Sequence, residues 1–303
     1  MEHKNFKNIR FLILTTIVIL WGSHASVVVF LSENLSTSCI LFYTYLISTI
    51  SLFIFNLTTG RLLNIFKNIK KEKLPFMTLL GIYGIFGYEY LFIEALNRAS
   101  PVEVNILNYL WPVMIVVFSV IILKQELKLN IVIGCLVAYF GAIIVIVMSS
   151  STGLNFSMKN ILGYILGIIV AIIWGSFSVM LKKENYEPFF STLYFNFLTF
   201  LITGVFLLLD SSFVIPKPKE FLVLVYNGVG TTAMPFVLWT IAMTKYDVQK
   251  VASFTYLTPF ISTSFLAIFL GKNITIYALI GLIAIVSGTI ISELRNDDVK
   301  YFV

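Results

Sequence analysis

Asn108-Tyr109-Leu110-Trp111-Pro112 and Thr255-Tyr256-Leu257-Thr258-Pro259 are two versions of one phrase, 147 residues apart, in two very apolar segments. The same offset relates a pair of glycines in each half of the chain: Gly134 and Gly141 in the first, Gly281 and Gly288 in the second. A duplicated apolar chain with prolines at matching positions is typical of a transporter built from two repeats around one site.

The composition is typical of a chain embedded in a lipid membrane. Hydrophobic residues make up 58% of the 303 residues and charged residues only 12%, whereas a soluble domain carries about a quarter charged residues. A helix needs about 20 apolar residues to cross the hydrocarbon core. A membrane β-barrel would show short alternating segments instead of long apolar runs. We therefore predict an all-α integral membrane protein with ten transmembrane helices, at about 11–31, 38–57, 75–97, 99–123, 130–149, 158–181, 188–209, 219–244, 250–270 and 274–293.

The basic residues predict the orientation of these spans. With the N-terminus inside, 16 Lys and Arg residues fall on the inner side and five on the outer side, as the positive-inside rule requires. Both termini are then cytoplasmic, and the protein is a multi-pass protein of the cell (inner) membrane. Each repeat holds five spans, an odd number, so the second repeat enters the membrane from the opposite side. We predict inverted repeats at 1–149 and 150–303.

Two connections stand out between the spans. The basic loop 58–74 is the longest, and it could form a short helix at the membrane surface. The polar stretch 149–155 is expected to join the two repeats on the outer face.

Motifs that are missing from the sequence limit the partners and the chemistry that we expect of the chain. The net charge of +6 follows from the membrane orientation and forms no basic patch, so we expect no nucleic acid partner. We find no HExxH, GxSxG or Walker motif and no Cys/His cluster, and we predict no enzyme activity, cofactor or metal. The expected partners are a small-molecule substrate and the lipid bilayer. The oligomeric state is left open, a monomer included.

The fourth and ninth predicted spans each carry a polar stripe. On a helical wheel, the residues of each stripe fall on one side; they are Pro101, Asn105, Asn108, Tyr109 and Pro112 in the fourth span, and Ala252, Thr255, Tyr256 and Pro259 in the ninth. Such stripes either bind neighbouring helices together or face a cavity, because a polar amide is costly in lipid. Their recurrence in both repeats favours the cavity. We expect Pro112 and Pro259 each to free a carbonyl and act as hinges.

Aromatic residues supply further candidates for the wall of this cavity. Tryptophans that anchor a protein gather at the membrane interfaces, yet Trp111, Trp174 and Trp239 lie mostly away from the span ends, as does Trp21. Tyr88 adds a ring and a hydroxyl on the third span. Aromatic walls can stack on rings and hold ammonium groups.

Two ionisable residues at membrane depth, Glu89 and His24, remain open to more than one interpretation. Glu89 lies about 21 Å along the helix axis from the start of its span, where an ionised carboxylate is costly. It could couple protons, bind a cation or bond to a neighbouring helix. His24 could shuttle a proton or be a packed neutral residue, which is the commoner case for a lone histidine. Glu103, like Glu94, lies near the outer boundary, where we expect a solvated rim.

These motifs resemble those of a known group of membrane proteins. The ten spans, the early Trp-Gly-Ser and the paired proline helices are similar to the drug/metabolite transporter superfamily, in its EamA-type ten-helix branch, over essentially the whole chain. Tyr88-Glu89 and Val102–Pro112 resemble the YddG-type aromatic amino acid exporters, which also carry tryptophans at the positions of Trp174 and Trp239 and a Tyr-x-x-Pro at 256–259. His24 and Gly22-Ser23 are not matched to that group.

The resemblance implies a function and the residues that serve it. It implies export of aromatic amino acids, or of other flat or cationic metabolites, through a central cavity between the repeats. Tyr88, Tyr109, Trp111, Pro112 and Trp174 would then line the path.

Three functions follow as alternatives. We expect a secondary transporter that exports amino acids or related small metabolites by alternating access. The nearest rival is a multidrug or quaternary-cation exporter coupled to protons through Glu89. A membrane protein that transports nothing is the third, and the missing catalytic motifs count against it.

Overall fold

The computed structural model describes residues 2–61, 71–149, 154, 157–209, 213–269 and 276–294, and these residues are helical apart from short connections. The predicted all-α membrane fold is confirmed. Most of loop 58–74 and of junction 149–155 lies outside the described residues. The α-helices are Glu2–Ser32, Thr37–Thr58, Leu74–Gly81, Tyr88–Leu96, Pro101–Asn108, Trp111–Leu123, Leu129–Ser149, Ile161–Glu184, Pro188–Leu209, Pro218–Tyr226, Met234–Lys245, Val248–Phe254, Leu257–Phe269 and Ile276–Glu293.

Nine helical stretches in the described part of the chain are long and apolar enough to cross a membrane. They coincide with nine of the ten predicted spans. The predicted ninth span is divided into the helices Val248–Phe254 and Leu257–Phe269. We number the spans first to tenth in chain order.

The fourth and ninth spans are each interrupted, but not at their prolines. The fourth span breaks at Tyr109-Leu110 and the ninth at Thr255-Tyr256. Pro112 and Pro259 lie in the first turn of the helix that follows each break, where a backbone N–H has no partner within the helix. At the first break, the Tyr109 and Leu110 N–H groups donate to Asn105 O at 2.8 Å and Leu107 O at 3.2 Å. The expectation that each proline frees a carbonyl therefore needs correction, because each one lies in the first turn of a helix.

The third and eighth spans share a second irregularity, a wide helical turn near mid-span. Residues Ile82–Gly87 and Asn227–Ala233 form π-helix. Such turns shift the faces of a helix and occur frequently at functional sites. Tyr88 and Met234 begin the regular helices that follow. The direction in which side chains point therefore shifts at equivalent points of the two halves.

Glycines join the fifth and tenth spans. A β-carbon on Gly134 would collide with the carbonyl oxygen of Gly288, and one on Gly141 would lie 2.7 Å from that of Gly281. Gly134 is equivalent to Gly281 and Gly141 to Gly288 by the sequence offset. Replacing each glycine by its equivalent therefore turns the Gly134–Gly288 contact into the Gly281–Gly141 contact. The two helices are antiparallel, which gives this crossing a local two-fold relation.

The other spans pack in the same exchangeable way. The first span packs against the ninth, and the fourth packs against the sixth. These two pairs are equivalent, because the sixth and ninth spans are the counterparts of the first and fourth in the second half. The second packs against the seventh, its own equivalent. The first, third, fourth, sixth and eighth spans remain in contact around the largest hydrophobic cluster.

Candidate functional site

All four tryptophans of the chain meet in one cluster at the centre of the bundle. They come from four different spans. Trp21 of the first span lies 5.3 Å from Trp239 and 5.8 Å from Trp174, measured between ring centroids. Trp111 lies 5.6 Å from Trp239, nearly perpendicular to it. Trp111, Trp174 and Trp239 are buried, and Trp21 is half-buried. We call these four side chains the tryptophan cluster.

Two further rings contact the cluster at Trp174. Tyr88 lies 5.0 Å from Trp174 and Phe236 lies 5.7 Å from it. Tyr88 and Phe236 stand 148 residues apart; Tyr88 directly follows the first π-helical turn, and Phe236 is the third residue after the second. The π-helical turns of the third and eighth spans therefore help to bring one ring from each half into contact with Trp174.

Few polar groups reach this aromatic centre. The Asn108 side-chain amide donates to the Tyr88 hydroxyl at 3.2 Å, and Trp239 Nε1 donates to Ser178 Oγ at 3.1 Å. Asn108 is 6% exposed, and its Oδ1 has no hydrogen-bond partner in the described part of the chain. Asn105 and Tyr109 are half-buried on the same span. The first polar stripe thus reaches the aromatic centre through Asn108.

A small pocket lies beside the tryptophan cluster. Its rings are Trp174, Phe177, Phe195, Phe236 and Trp239, and its polar lining consists of Thr192, Asn196 and Thr240. It has room for little more than one water-sized group. In this conformation the aromatic side chains fill most of the centre themselves.

The polar stripe of the ninth span is not brought to the tryptophan cluster. Tyr256 is fully buried in a separate cluster between the fifth and tenth spans, with its ring 6.2 Å from that of Tyr139. Thr255 donates its hydroxyl to Ala252 O at 2.7 Å. The helical wheel assumed one continuous helix, whereas the break at these two residues changes the phase of the stripe.

The two candidate coupling residues lie in half-buried positions. Tyr45 of the second span, 1% exposed, donates its hydroxyl to Glu89 Oε1 at 3.2 Å. Glu89 is adjacent in sequence to Tyr88 and so lies at the edge of the aromatic centre. His24 lies one helical turn after Trp21 on the first span.

The expectation of a solvated outer rim is wrong for Glu103. Its side chain is 1% exposed, and the Tyr164 hydroxyl of the sixth span donates to Glu103 Oε2 at 3.0 Å. The first turn of the fourth span packs against the start of the sixth span there, which covers the carboxylate. Glu94 does form a surface ion pair, with Arg98.

Ion pairs link the two halves at the face that carries most of the basic residues. Arg10 bonds to Glu293 at 2.9 Å, Lys73 to Glu184 at 3.0 Å, and Arg61 approaches Glu187 at 3.8 Å. Every cation of these three pairs belongs to the first half and every anion to the second. We call them the cross-half ion pairs.

One pair of buried polar residues was missed by the sequence analysis. The Asn196 amide of the seventh span donates to Ser48 Oγ of the second span at 2.6 Å, and both residues are 0% exposed. They stand 148 residues apart, which is close to the offset of the repeated proline phrase. That shared offset was the available signal, because residues on a two-fold axis contact their own equivalents.

Comparison with known proteins gives a consistent result. The model of the EamA-like transporter family matches residues 9–147 and, a second time, residues 161–294. The aromatic amino acid exporter YddG of Ancylobacter novellus is 30% identical over 188 residues, which are 62% of this chain and 65% of that exporter. The chain thus aligns with about two thirds of the length of that relative.

More distant relatives have the same kinds of name. The aromatic amino acid exporter YddG of Escherichia coli is 24% identical over 72% of this chain and 77% of its own length. The uncharacterized transporter YyaM of Bacillus subtilis is 24% identical over 70% of each chain. A solved crystal structure has a TM-score of 0.85 at 24% identity, covering 94% of this chain and 95% of that one, and shows the same fold.

Proposed function

The chain belongs to the EamA-like transporter family, and from this premise we propose that it exports amino acids, aromatic ones first, by alternating access. It is a multi-pass protein of the cell membrane and a transporter of the drug/metabolite superfamily. We propose that residues 1–149 and 150–303 are two inverted repeats, with both termini cytoplasmic.

The tryptophan cluster is the observation that carries the substrate class. Four indole rings from four spans meet with Tyr88 and Phe236 around one centre. Edge-to-face and offset pairs of rings are each favourable by about 0.5–1.5 kcal/mol beyond their buried area. An aromatic side chain can replace one of these contacts as the cluster opens, whereas an aliphatic side chain cannot. The names of the YddG relatives point to the same substrates.

The cross-half ion pairs support alternating access. They join the two halves at the predicted cytoplasmic face, so a cavity opening to the cytoplasm has to separate them. Exposed or half-exposed ion pairs contribute about 0–1 kcal/mol each, so substrate binding can supply enough energy to break them. The structure therefore corresponds to a conformation that is closed on this face.

A multidrug or quaternary-cation exporter is the second candidate. Glu89, held by Tyr45, is an ionisable group within a membrane span and beside the rings. Aromatic faces also bind ammonium cations. Cation export with Glu89 as the proton-coupled residue would use the same centre with a different cargo. The third alternative, a protein that transports nothing, is disfavoured by the family.

Transport by the purified protein in liposomes tests the proposal. We expect counterflow of labelled phenylalanine, tyrosine or tryptophan when the liposomes are preloaded with the same amino acid. Liposomes preloaded with leucine or with tetraphenylphosphonium provide the comparison. Flux of the organic cation without flux of any amino acid would replace the main proposal by the second candidate.

A further inference from the structure

The Asn196–Ser48 pair lies where the two halves meet, in the middle of the bundle. Both side chains are wholly buried, and the Asn196 amide donates to Ser48 Oγ at 2.6 Å. The second and seventh spans that carry them are equivalent spans packed against each other. A polar pair here can serve the contact between these helices, and it can also serve a ligand.

The Asn196 amide has one side that the helix contact leaves unused. Its Oδ1 is buried and has no hydrogen-bond partner among the described residues. A buried acceptor without a donor destabilises the fold. Asn196 also lines the small pocket beside Trp174 and Trp239. The residue with the unused acceptor therefore belongs to the pocket wall, and a donor on a ligand could satisfy that acceptor.

The two threonines of this pocket also offer acceptors. The Thr192 hydroxyl donates its proton to Pro188 O at 2.8 Å, and the Thr240 hydroxyl donates to Phe236 O at 2.9 Å. Each of these oxygens keeps a lone pair. No charged side chain of the described residues lines the pocket, and five aromatic residues do.

A wall made of acceptors and ring faces is complementary to one chemical group. Hydroxyl and amide oxygens accept from an ammonium group, and ring faces attract its positive charge. Among the described residues, no cationic side chain on this lining could neutralise a carboxylate. The pocket has room for about one water-sized group, which is also the size of an ammonium group.

We propose that this pocket, formed by Thr192, Asn196 and Thr240, binds the ammonium group of the transported molecule, while the substrate ring packs against the tryptophan cluster. This inference rests on the proposed function and names the polar half of the same site. It assigns Asn196 as a specificity-determining residue. The pocket selects molecules that carry an amine, and a carboxylate on the same molecule lies outside it.

The test compares competitors that differ in one group. Phenethylamine keeps the ring and the amine, and 3-phenylpropionate keeps the ring and the carboxylate. Against labelled phenylalanine counterflow, we expect phenethylamine to compete with the wild-type protein about tenfold or more better than 3-phenylpropionate, as a hydrogen bond to a charged group requires. The Asn196→Leu variant should lose this preference, and its KM for phenylalanine should rise about tenfold.

Two further variants separate ligand binding from helix packing. Ser48→Ala removes the bond between the helices and keeps the Asn196 acceptor, so it should retain the preference for the amine. Asn196→Asp restores an acceptor and should also retain it. Asn56→Leu, at an equally buried asparagine of the second span that is absent from the pocket lining, controls for the loss of a buried amide. Equal effects of Ser48→Ala and Asn196→Leu on the preference would overturn the inference.

The inference can fail separately from the proposed function. If the wild-type protein moves no amino acid, the proposed function is wrong. A thermal shift of the detergent-solubilised protein by phenethylamine then tests whether the pocket binds an ammonium group. A shift that is present in wild-type protein and absent in Asn196→Leu supports the ammonium site, and equal shifts in both refute it.

Discussion

Gly134 and Gly288 lie in direct backbone contact, so that a β-carbon on Gly134 would overlap the carbonyl oxygen of Gly288. The fifth and tenth spans thereby approach more closely than side chains would allow, as small residues permit in membrane helices. The fifth and tenth spans make more extensive contact than any other pair of elements in the described part of the chain. If the protein works by the proposed alternating access, we expect this crossing to stay fixed during the cycle.

The glycine crossing predicts a large and local effect of added volume. Gly288→Val adds a β-carbon that would collide with the Gly134 carbonyl oxygen and lie 2.6 Å from Ala138 N, with two further methyl groups beyond it. Overpacking of this kind costs about 1–3 kcal/mol or more. We expect a lower melting temperature in detergent and reduced yield of folded protein. Gly204→Ala is the matched control, because its nearest neighbour, Phe42, lies at an ordinary 3.4 Å. A melting temperature unchanged by Gly288→Val would show that this crossing is loose.

Removal of one ring from the tryptophan cluster should change selectivity more than stability. Trp111→Leu removes the ring contacts to Trp21 and Trp239, worth together about 1–3 kcal/mol. We expect the KM for tryptophan and phenylalanine to rise about 5- to 100-fold and that for leucine to change less. Phe55→Leu removes a stacked pair with Phe189 outside the cluster and should leave both values unchanged. Equal losses for aromatic and aliphatic substrates would reduce Trp111 to a packing residue.

Neutralisation of Glu89 tests whether transport is coupled to protons. The carboxylate accepts from the Tyr45 hydroxyl at 3.2 Å within the membrane-spanning part of the chain. We expect Glu89→Gln to keep counterflow of amino acids, since the amide still accepts from Tyr45, and to lose the pH dependence of net flux. Glu94→Gln, at the surface pair with Arg98, should behave as wild type. If Glu89→Gln follows the wild-type pH profile, the residue has no part in coupling.

Reversal of one cross-half ion pair should open the predicted cytoplasmic face. Lys73 donates both to the Glu184 carboxylate at 3.0 Å and to the Glu184 carbonyl at 3.1 Å. Lys73→Glu replaces this attraction by repulsion, and we expect faster maleimide labelling of a cysteine placed at Thr78, about one turn deeper on the third span. The native Cys39 and Cys135 are replaced by alanine in this background.

The double variant with Lys73→Glu and Glu184→Lys provides the control for that experiment. It restores opposite charges across the pair and should return the labelling rate to that of the unreversed background. Labelling that is unaffected by Lys73→Glu would mean that the ion pair does not hold the two halves together.

The sequence allowed the membrane fold to be predicted in most respects. Long apolar runs separated by charged gaps are a strong signal, and nine of the ten spans coincide with suitable helices. Pro112 and Pro259 were expected to act as hinges, but the helix breaks fall two to four residues before them. A proline reports a helix boundary without telling on which side it lies, because it is tolerated in the first turn of a helix.

The sequence indicated the aromatic residues of the candidate site and Asn108, but not the pocket at Asn196. Trp111, Trp174 and Trp239 were chosen because they lie away from the span ends, and the structure brings them together. Thr255 and Tyr256 were chosen by symmetry with the fourth span, yet Tyr256 packs between other helices. Sequence symmetry concerns the backbone, whereas a site binding one asymmetric molecule uses different residues in each half. Tyr88 and Phe236 depend on π-helical turns, which helical periodicity does not reveal.

The tryptophan cluster also has a spectroscopic consequence. Because the chain has four tryptophans and all of them belong to that cluster, the indole fluorescence of the whole protein originates at one point. Energy transfer among rings with centroids 5.3–6.4 Å apart makes them a single emitter. The unlabelled protein thus carries an optical reporter of its own centre, and a change in emission on adding phenylalanine would record the cluster opening.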